Sequence, residues 1–307
     1  MKISIAICTW NRARLLDMTL AAMRRLHVPK GTAWELLVIN NNCTDNTEDV
    51  ILRHSSSLPV RAVFEPNPGL SHARNRAVTA ASGDYLLWTD DDVLVDENWV
   101  AAYVAAIERS PDTVILGGPI APLFEGTPPG WLKSSWSKVA NAYAVCDLGP
   151  HPIPLTDESL PYGANYAVRL SVQKRYPYDP DLGRKGGNMM GYEEVVVMRA
   201  MFRDGLRGVW VPGARVSHFI PRERQDVTYL KRYFHGQGLY MASSGGTSDF
   251  PTLFGYPRWL VRRAIQDRLV YQVNRLFRRS DVWIDDLKEA SKSWGMLQGC
   301  SRRRRAA

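Results

Sequence analysis

Three consecutive carboxylates, Asp90-Asp91-Asp92, form the strongest chemical feature of the sequence. Adjacent negative charges repel unless a cation or tight hydrogen bonding holds them, and a hard divalent ion, Mg²⁺ or Mn²⁺, is the simplest partner. Alternating positions such as Asp90 and Asp92 can reach one ion together, leaving Asp91 on the other side. An ion bound this way keeps positions open for substrate phosphates. A solvated acidic turn is the plainer alternative. Thr9 and Asn11, and the run Asn40-Asn41-Asn42, are further polar clusters that serve equally well as turn and cap residues. Arg74 lies near a helix start, where anions are favoured, and Glu193-Glu194 open another, where carboxylates complement the helix dipole. His218 ends a short strand pattern after Pro212-Gly213, a setting in which a packed imidazole is commoner than a ligand.

Strand patterns lead into these clusters. Ile3, Ile5 and Ile7 alternate with small residues up to Thr9, after which Leu15, Leu16, Leu20, Met23 and Leu26 recur at helical spacing until Pro29. The same unit returns as a strand over 35–40 with a helix over 45–54, then a strand over 60–64 with a helix over 71–81. A strand over 85–88 enters the acidic triplet, and a helix over 97–109 and a strand over 114–116 follow. Alternating strands and helices imply a parallel sheet covered on both faces, with its ligand crevice beyond the carboxyl ends of the strands. Residues 117–161, rich in Pro, Gly and Trp, read as a long irregular loop crossing the sheet, in which Trp131 and Trp136 favour core packing over an exposed stacking role. Strands over 163–168, 209–211 and 215–218, a helix over 193–203, and helices over 227–242, 257–279 and 282–294 complete the pattern, which ends at Arg302-Arg303-Arg304-Arg305.

Several stretches stand together as a set: Ser4-Ile5-Ala6-Ile7-Cys8-Thr9-Trp10-Asn11-Arg12, Leu37-Val38-Ile39-Asn40-Asn41-Asn42, Pro68-Gly69-Leu70-Ser71-His72-Ala73-Arg74-Asn75, Asp90-Asp91-Asp92, Gly163-Ala164-Asn165, Gly191-Tyr192-Glu193-Glu194, and Val211 to His218. In order and spacing, over residues 3 to about 240, they resemble the family 2 glycosyltransferases of the GT-A fold. The resemblance implies an α/β fold with a Rossmann-like, mostly parallel central sheet, helices on both faces and a helical C-terminal extension. It implies a catalytic domain over 1–225, with a nucleotide-binding half over 1–116 and an acceptor half over 117–225, and a basic extension over 226–307. On function it implies an inverting, metal-dependent transfer of a sugar from a nucleotide-diphosphate sugar, a UDP-sugar first, to a glycan, lipid-linked or small-molecule acceptor in polysaccharide or glycoconjugate biosynthesis. Thr9, Asn11, Asn40, Arg74, Asp90 and Asp91 would then serve the nucleotide sugar. Asp92, joined by Asp90 and His218, would hold Mn²⁺ or Mg²⁺, with the imidazole favouring Mn²⁺. Glu194, rather than Glu193, would be the general base on the acceptor hydroxyl. Asn40 replaces the Asp often found there, and its amide offers a base edge both a donor and an acceptor.

Composition bounds the alternatives. A chain of 307 residues with 45% hydrophobic and 23% charged residues is neither disordered nor a small disulfide-stapled fold. The longest apolar run, Trp99 to Ile107, is too short to span a bilayer, and no signal peptide is expected. Four scattered cysteines without a C-x-x-C pair fit a reducing, cytoplasmic setting. Residues 1–249 hold 26 basic and 26 acidic side chains, while 250–307 hold 13 and 5, so the net charge of +8 is 13 − 5 in the tail alone. A basic tail with interleaved apolar residues suits peripheral contact with an anionic membrane, equally with packing on the catalytic domain. A nucleic-acid-binding module is disfavoured by the neutral body, and a nucleotidyltransferase by the lack of a Gly- and Lys-rich loop after the first strand.

Overall fold

The structure is a computed structural model that describes residues 1–186, 189–244, 252, 253 and 256–306, with the side chains of 253 and 301–306 outside that description. The arginine run at 302–305 therefore enters only as helical backbone. Two compact units are present, one of residues 1–123, 144–183 and 193–219, the other of residues 124–143, 184–192 and 220–307. The second unit thus joins the C-terminal stretch from 220 to two earlier segments of the chain.

In the first unit, β1 (Lys2–Thr9), β2 (Ala33–Asn40), β3 (Val60–Phe64) and β4 (Tyr85–Asp90) alternate with α1 (Ala13–Met23), α2 (Thr47–His54) and α3 (Leu70–Ala80). β5 (Val93–Val95), α4 (Trp99–Arg109), β6 (Ile115–Gly117) and β7 (Ile120–Phe124) follow. β8 (Pro154–Leu155), β9 (Asn165–Arg169), α5 (Glu193–Arg203), β10 (Gly208–Trp210) and β11 (Val216–Ile220) come last. The main sheet has the order β3-β2-β1-β4-β9-β6-β10-β8, and β5-β11-β7 form a small second sheet. The β1/β2, β1/β4, β2/β3 and β6/β10 pairs are parallel, as expected. β9 departs from the pattern, running antiparallel to both β4 and β6.

Alternation along the strands splits the core into two layers. Ile3, Ile5, Ile7, Val38 and Leu87 face one side, where Leu16, Leu20 and Met23 of α1 and Trp99, Val100 and Tyr103 of α4 cover them. Ala6, Leu37, Ile39, Leu86 and Trp88 face the other, under Ala73 and Ala77 of α3 and Val197, Met198 and Met201 of α5. Both faces are dry, so both strand registers are fixed.

The crossing at 117–161 is more ordered than its composition suggests, because its elements are too short to show a period. It contains β7, β8 and short helices at Gly130–Ser134 and Trp136–Val139. Within the second unit, Trp136 sits 5.0 Å from Phe124 and 5.4 Å from Tyr143, and Trp131 lies 6.1 Å from Trp283, so both half-buried rings pack on aromatic neighbours of that unit.

The second unit is built on α6 (Val227–Ser244), α7 (Arg258–Phe277) and α8 (Ser280–Ala306). α8 runs beyond the expected end at 294. Gly295 and Gly299 do not stop it, because they let α6 approach: a Cβ at Gly295 would overlap the His235 carbonyl, and one at Gly238 the Lys292 carbonyl. Trp259, Leu269, Val273 and Phe277 of α7 are 38%, 57%, 55% and 79% exposed, so they are not packed away as a structural stripe. No helix among the described residues is long and apolar enough to cross a membrane.

Candidate active site

The sheet order reverses between β1 and β4, and a crevice opens at the carboxyl ends of such a pair. Thr9, the last residue of β1, donates its hydroxyl to Asp91 Oδ2 across that point at 2.7 Å. Arg12, just beyond Thr9, places its guanidinium on both Asp91 and Asp92. β11 pairs antiparallel with β5, and this register brings His218 Nε2 to 3.3 Å from Asp92 Oδ2. Asp91, Asp92 and His218 are all buried. Burial pushes the Asp91 carboxyl up to about 6, with Arg12 pulling the other way.

β4 ends at Asp90, and Asp91 and Asp92 form the turn that follows it, ahead of β5. These adjacent carboxylates are held together by the Arg12 fork, a geometry for which guanidinium is suited. Among the described residues, the Asp90 side chain makes no hydrogen bond or ion pair, and no three His, Cys, Asp or Glu side chains cluster as a ready-made metal site. Arg12 itself has no role assigned by sequence. The usable signal was the triplet, which requires a counter-cation nearby.

The loops after β1 and β2 are tied together by asparagines. Asn11, at φ 52°, accepts from the Thr44 N–H at 2.6 Å, and Asn42 has φ 62°. Asn tolerates this left-handed region better than most residues, which accounts for its repetition here. Asn40 is buried and spends its amide internally, accepting from the Cys43 N–H at 2.8 Å and donating to Glu48 at 3.1 Å. Asn41 donates to the Glu65 and Asn67 carbonyls and accepts from the Gly69 N–H, which positions the start of α3.

Arg74, on α3, is 3% exposed. Its guanidinium lies 4.9 Å from the Trp88 ring centre and 5.6 Å from that of Tyr178, and Nε is 3.3 Å from Glu193 Oε1. Burial holds the Tyr166 and Tyr178 phenols above their ordinary range, so the cage stays neutral around the ion pair. Glu193 is therefore committed to Arg74. Glu194, less buried, accepts from the Gly163 N–H at 3.3 Å. Gly163 admits both neighbours: a Cβ there would stand 2.5 Å from the Arg74 guanidinium and 3.1 Å from Glu194 Oε1. Two residues on, Asn165 accepts from Trp99 and Tyr103, each at 2.8 Å, and donates to the Pro119 and Ala214 carbonyls, so β9 is locked at the same end of the sheet.

Three arrangements follow β1, β4 and β9: Asp92 and His218 in contact, the Arg12 guanidinium on Asp91 and Asp92, and Glu194 outside the Arg74–Glu193 pair. Residues 4–151 match glycosyl transferase family 2. Over 245 residues the chain is 24% identical to the glucosyl-dolichyl phosphate glucuronosyltransferase of Haloferax volcanii, covering 75% of this chain and 73% of that protein. It is 26% identical to the succinoglycan biosynthesis protein ExoM of Rhizobium meliloti, over 43% of each. Among solved structures, S. aureus TarS 1–349 aligns with a TM-score of 0.55 at 13% identity, over 99% of this chain and 92% of that one. The mannosyltransferase PcManGT of Pyrobaculum calidifontis, in complex with GDP-Man and Mn²⁺, aligns with a TM-score of 0.57 at 14% identity, over 98% and 86%. With the fold, the motif order and these relatives in agreement, residues 4–151 are a family 2 glycosyltransferase segment, and the chain has the GT-A fold.

Proposed function

We propose that the chain transfers a sugar, with inversion, from a nucleoside-diphosphate sugar to an acceptor hydroxyl, using a divalent ion held by Asp92 and His218. The contact of these two side chains at 3.3 Å carries the reading. An oxygen and an imidazole nitrogen make a donor pair suited to Mn²⁺ more than to Mg²⁺, which prefers oxygen throughout. When bound, the ion would supply charge neutralisation to the leaving diphosphate. Arg12 must yield Asp92 to it, and the freed guanidinium then stands ready for a phosphate oxygen. Asp90, unpaired at the end of β4, and Asn11 are left for the nucleotide. Glu194 takes the proton of the acceptor hydroxyl, because Glu193 is engaged by Arg74.

Named ligands of the relatives support the substrate class. TarS has been solved with UDP and with UDP-GlcNAc, and PcManGT with GDP-Man. The Haloferax volcanii relative acts, by its name, on a glucosyl-dolichyl phosphate, which supports a lipid-linked acceptor here. The exposed apolar residues of α7, interleaved with arginines, support a peripheral station on an anionic membrane. A panel of UDP- and GDP-sugars, screened by melting temperature and hydrolysis with Mn²⁺ or EDTA, tests the proposal. Stabilisation and hydrolysis by a nucleotide sugar only with Mn²⁺ are expected, and no response to any donor in either condition would overturn it.

A further inference from the structure

The helical unit contains a cavity of about 1050 Å³. Lys231 of α6, Arg268, Tyr271, Arg275 and Leu276 of α7, and Trp294 of α8 are among the residues that line it. Arg268, Tyr271 and Arg275 follow one another at helical spacing, so they share a face of α7. Lys231 Nζ lies 5.3 Å and Arg275 Cζ 5.9 Å from the centre of the same Tyr271 ring, and Arg268 Cζ lies 5.4 Å from the Trp294 ring. Among the described residues none of these three cations forms a salt bridge. Burial and the neighbouring Arg275 and Arg268 push the Lys231 ammonium below its ordinary range. The Tyr271 hydroxyl adds a second sign: Tyr271 is 6% exposed, and its hydroxyl faces the Arg275 guanidinium without completing a hydrogen bond of normal geometry.

Like charges gathered over apolar walls, beside a buried hydroxyl left unsatisfied, are the complement of an anion carried on an apolar body. We infer that this cavity binds the phosphate group of an amphiphile, with Lys231, Arg268 and Arg275 on the phosphate, the Tyr271 hydroxyl donating to it, and Leu276 and Trp294 against the chain. A phosphate oxygen accepts charge-assisted hydrogen bonds from Lys and Arg, and the exposed Leu276 and half-exposed Trp294 gain by covering an alkyl segment. The site goes beyond the transfer reaction, and its assignment does not depend on which acceptor that reaction uses.

Calorimetry on the full chain tests it, with decanoyl lysophosphatidate below its micelle concentration, decyl maltoside and inorganic phosphate as probes. Saturable binding of the lysophosphatidate, at least tenfold tighter than of decyl maltoside, is expected. The exposed pair Arg268→Gln/Arg275→Gln should weaken it tenfold or more, whereas Arg258→Gln/Arg262→Gln, which removes equal charge from another turn of α7, should not. Tyr271→Phe should weaken binding several-fold with a melting temperature no lower than that of the parent. Inorganic phosphate binding as tightly as the lipid would identify a free phosphate as the occupant, and flotation with phosphatidate vesicles that responds only to the 268/275 pair would identify a bilayer headgroup. Equal affinity for decyl maltoside, or equal loss in both arginine pairs, would overturn the site in favour of non-specific attraction.

Discussion

Arg74 and Glu193 meet at 3.3 Å with side chains only 4% and 3% exposed. A charge pair that deep is held by its partners: removing one member leaves the other buried and uncompensated. The two adjacent glutamates therefore have different tasks, although they sit side by side at the start of one helix.

Glu193→Ala should lower the unfolding free energy by roughly 3–5 kcal/mol, since the Arg74 guanidinium loses its counter-charge in a site walled by Trp88 and Tyr178. Glu194→Gln should keep the parent's urea midpoint and lose sugar transfer by about 10² to 10⁴-fold, the range for removal of a general base. Urea titration and a transfer assay on both variants distinguish them. The reverse order of effects would assign the base to Glu193.

Asp92 and His218 should control metal affinity, and Arg12 should oppose it. Asp92→Ala is expected to abolish Mn²⁺-dependent nucleoside diphosphate binding, and His218→Ala to weaken it. Arg12→Gln should bind Mn²⁺ more tightly than the parent, because the ion no longer has to displace a guanidinium from Asp92. Calorimetry with Mn²⁺ alone, then with UDP in the presence of Mn²⁺ or EDTA, reads all three. UDP binding of equal affinity in both conditions would remove the metal from the reaction.

Arg12 and Arg74 mark the boundary of what the residues conveyed unaided. Ile3, Ile5 and Ile7 announce β1 because every second residue must reach the same dry layer, and the strand–helix rhythm makes the sheet readable as far as β4. The acidic triplet was readable for the same reason: it directly follows a strand. Its partner was not, since Arg12 lies 79 positions from Asp91 and nothing local ties them. Arg74 read as an anion contact at a helix start, and only the packing of α3 shows its guanidinium enclosed by Trp88, Tyr178 and Glu193. β9 was readable as a strand and not as an antiparallel one, because a five-residue strand pattern contains no information on direction. His218 illustrates the remaining case: its position at a strand end was clear, but its meeting with Asp92 depends on the β5/β11 register.

Glu35 should make stability depend on pH in the acid range. Burial alone would raise its pKa, but hydrogen bonds from the Ser4 hydroxyl at 2.6 Å and from the Ser82 N–H and hydroxyl at 2.8 and 2.7 Å hold it at about 2, against 4.5 ordinarily. A carboxyl whose folded pKa is depressed stabilises the fold above its unfolded pKa and loses that contribution as pH falls through the folded one. The window thus lies between 4.5 and about 2. Urea midpoints across it should fall more steeply for the parent than for Glu35→Gln, and parallel curves would show that the hydrogen bonds do not favour the ionised form.

Gly238 and Gly295 should behave against helix propensity. In an exposed helix interior Gly→Ala gains about 1 kcal/mol, because alanine has less backbone freedom to lose. Here a methyl at Gly238 would overlap the Lys292 carbonyl of α8, and one at Gly295 the His235 carbonyl of α6. A carbonyl inside a helix ladder cannot move aside without breaking its own hydrogen bond, so the helices must separate and leave gaps on either side of the contact. Overpacking of this kind costs about 1–3 kcal/mol and outweighs the propensity gain. Gly238→Ala and Gly295→Ala are therefore expected to lower the urea midpoint, while Gln298→Ala, at an exposed position of the same α8, stays within about 0.5 kcal/mol of the parent. A raised midpoint in either glycine variant would mean that α6 and α8 do not approach as closely as their glycines allow.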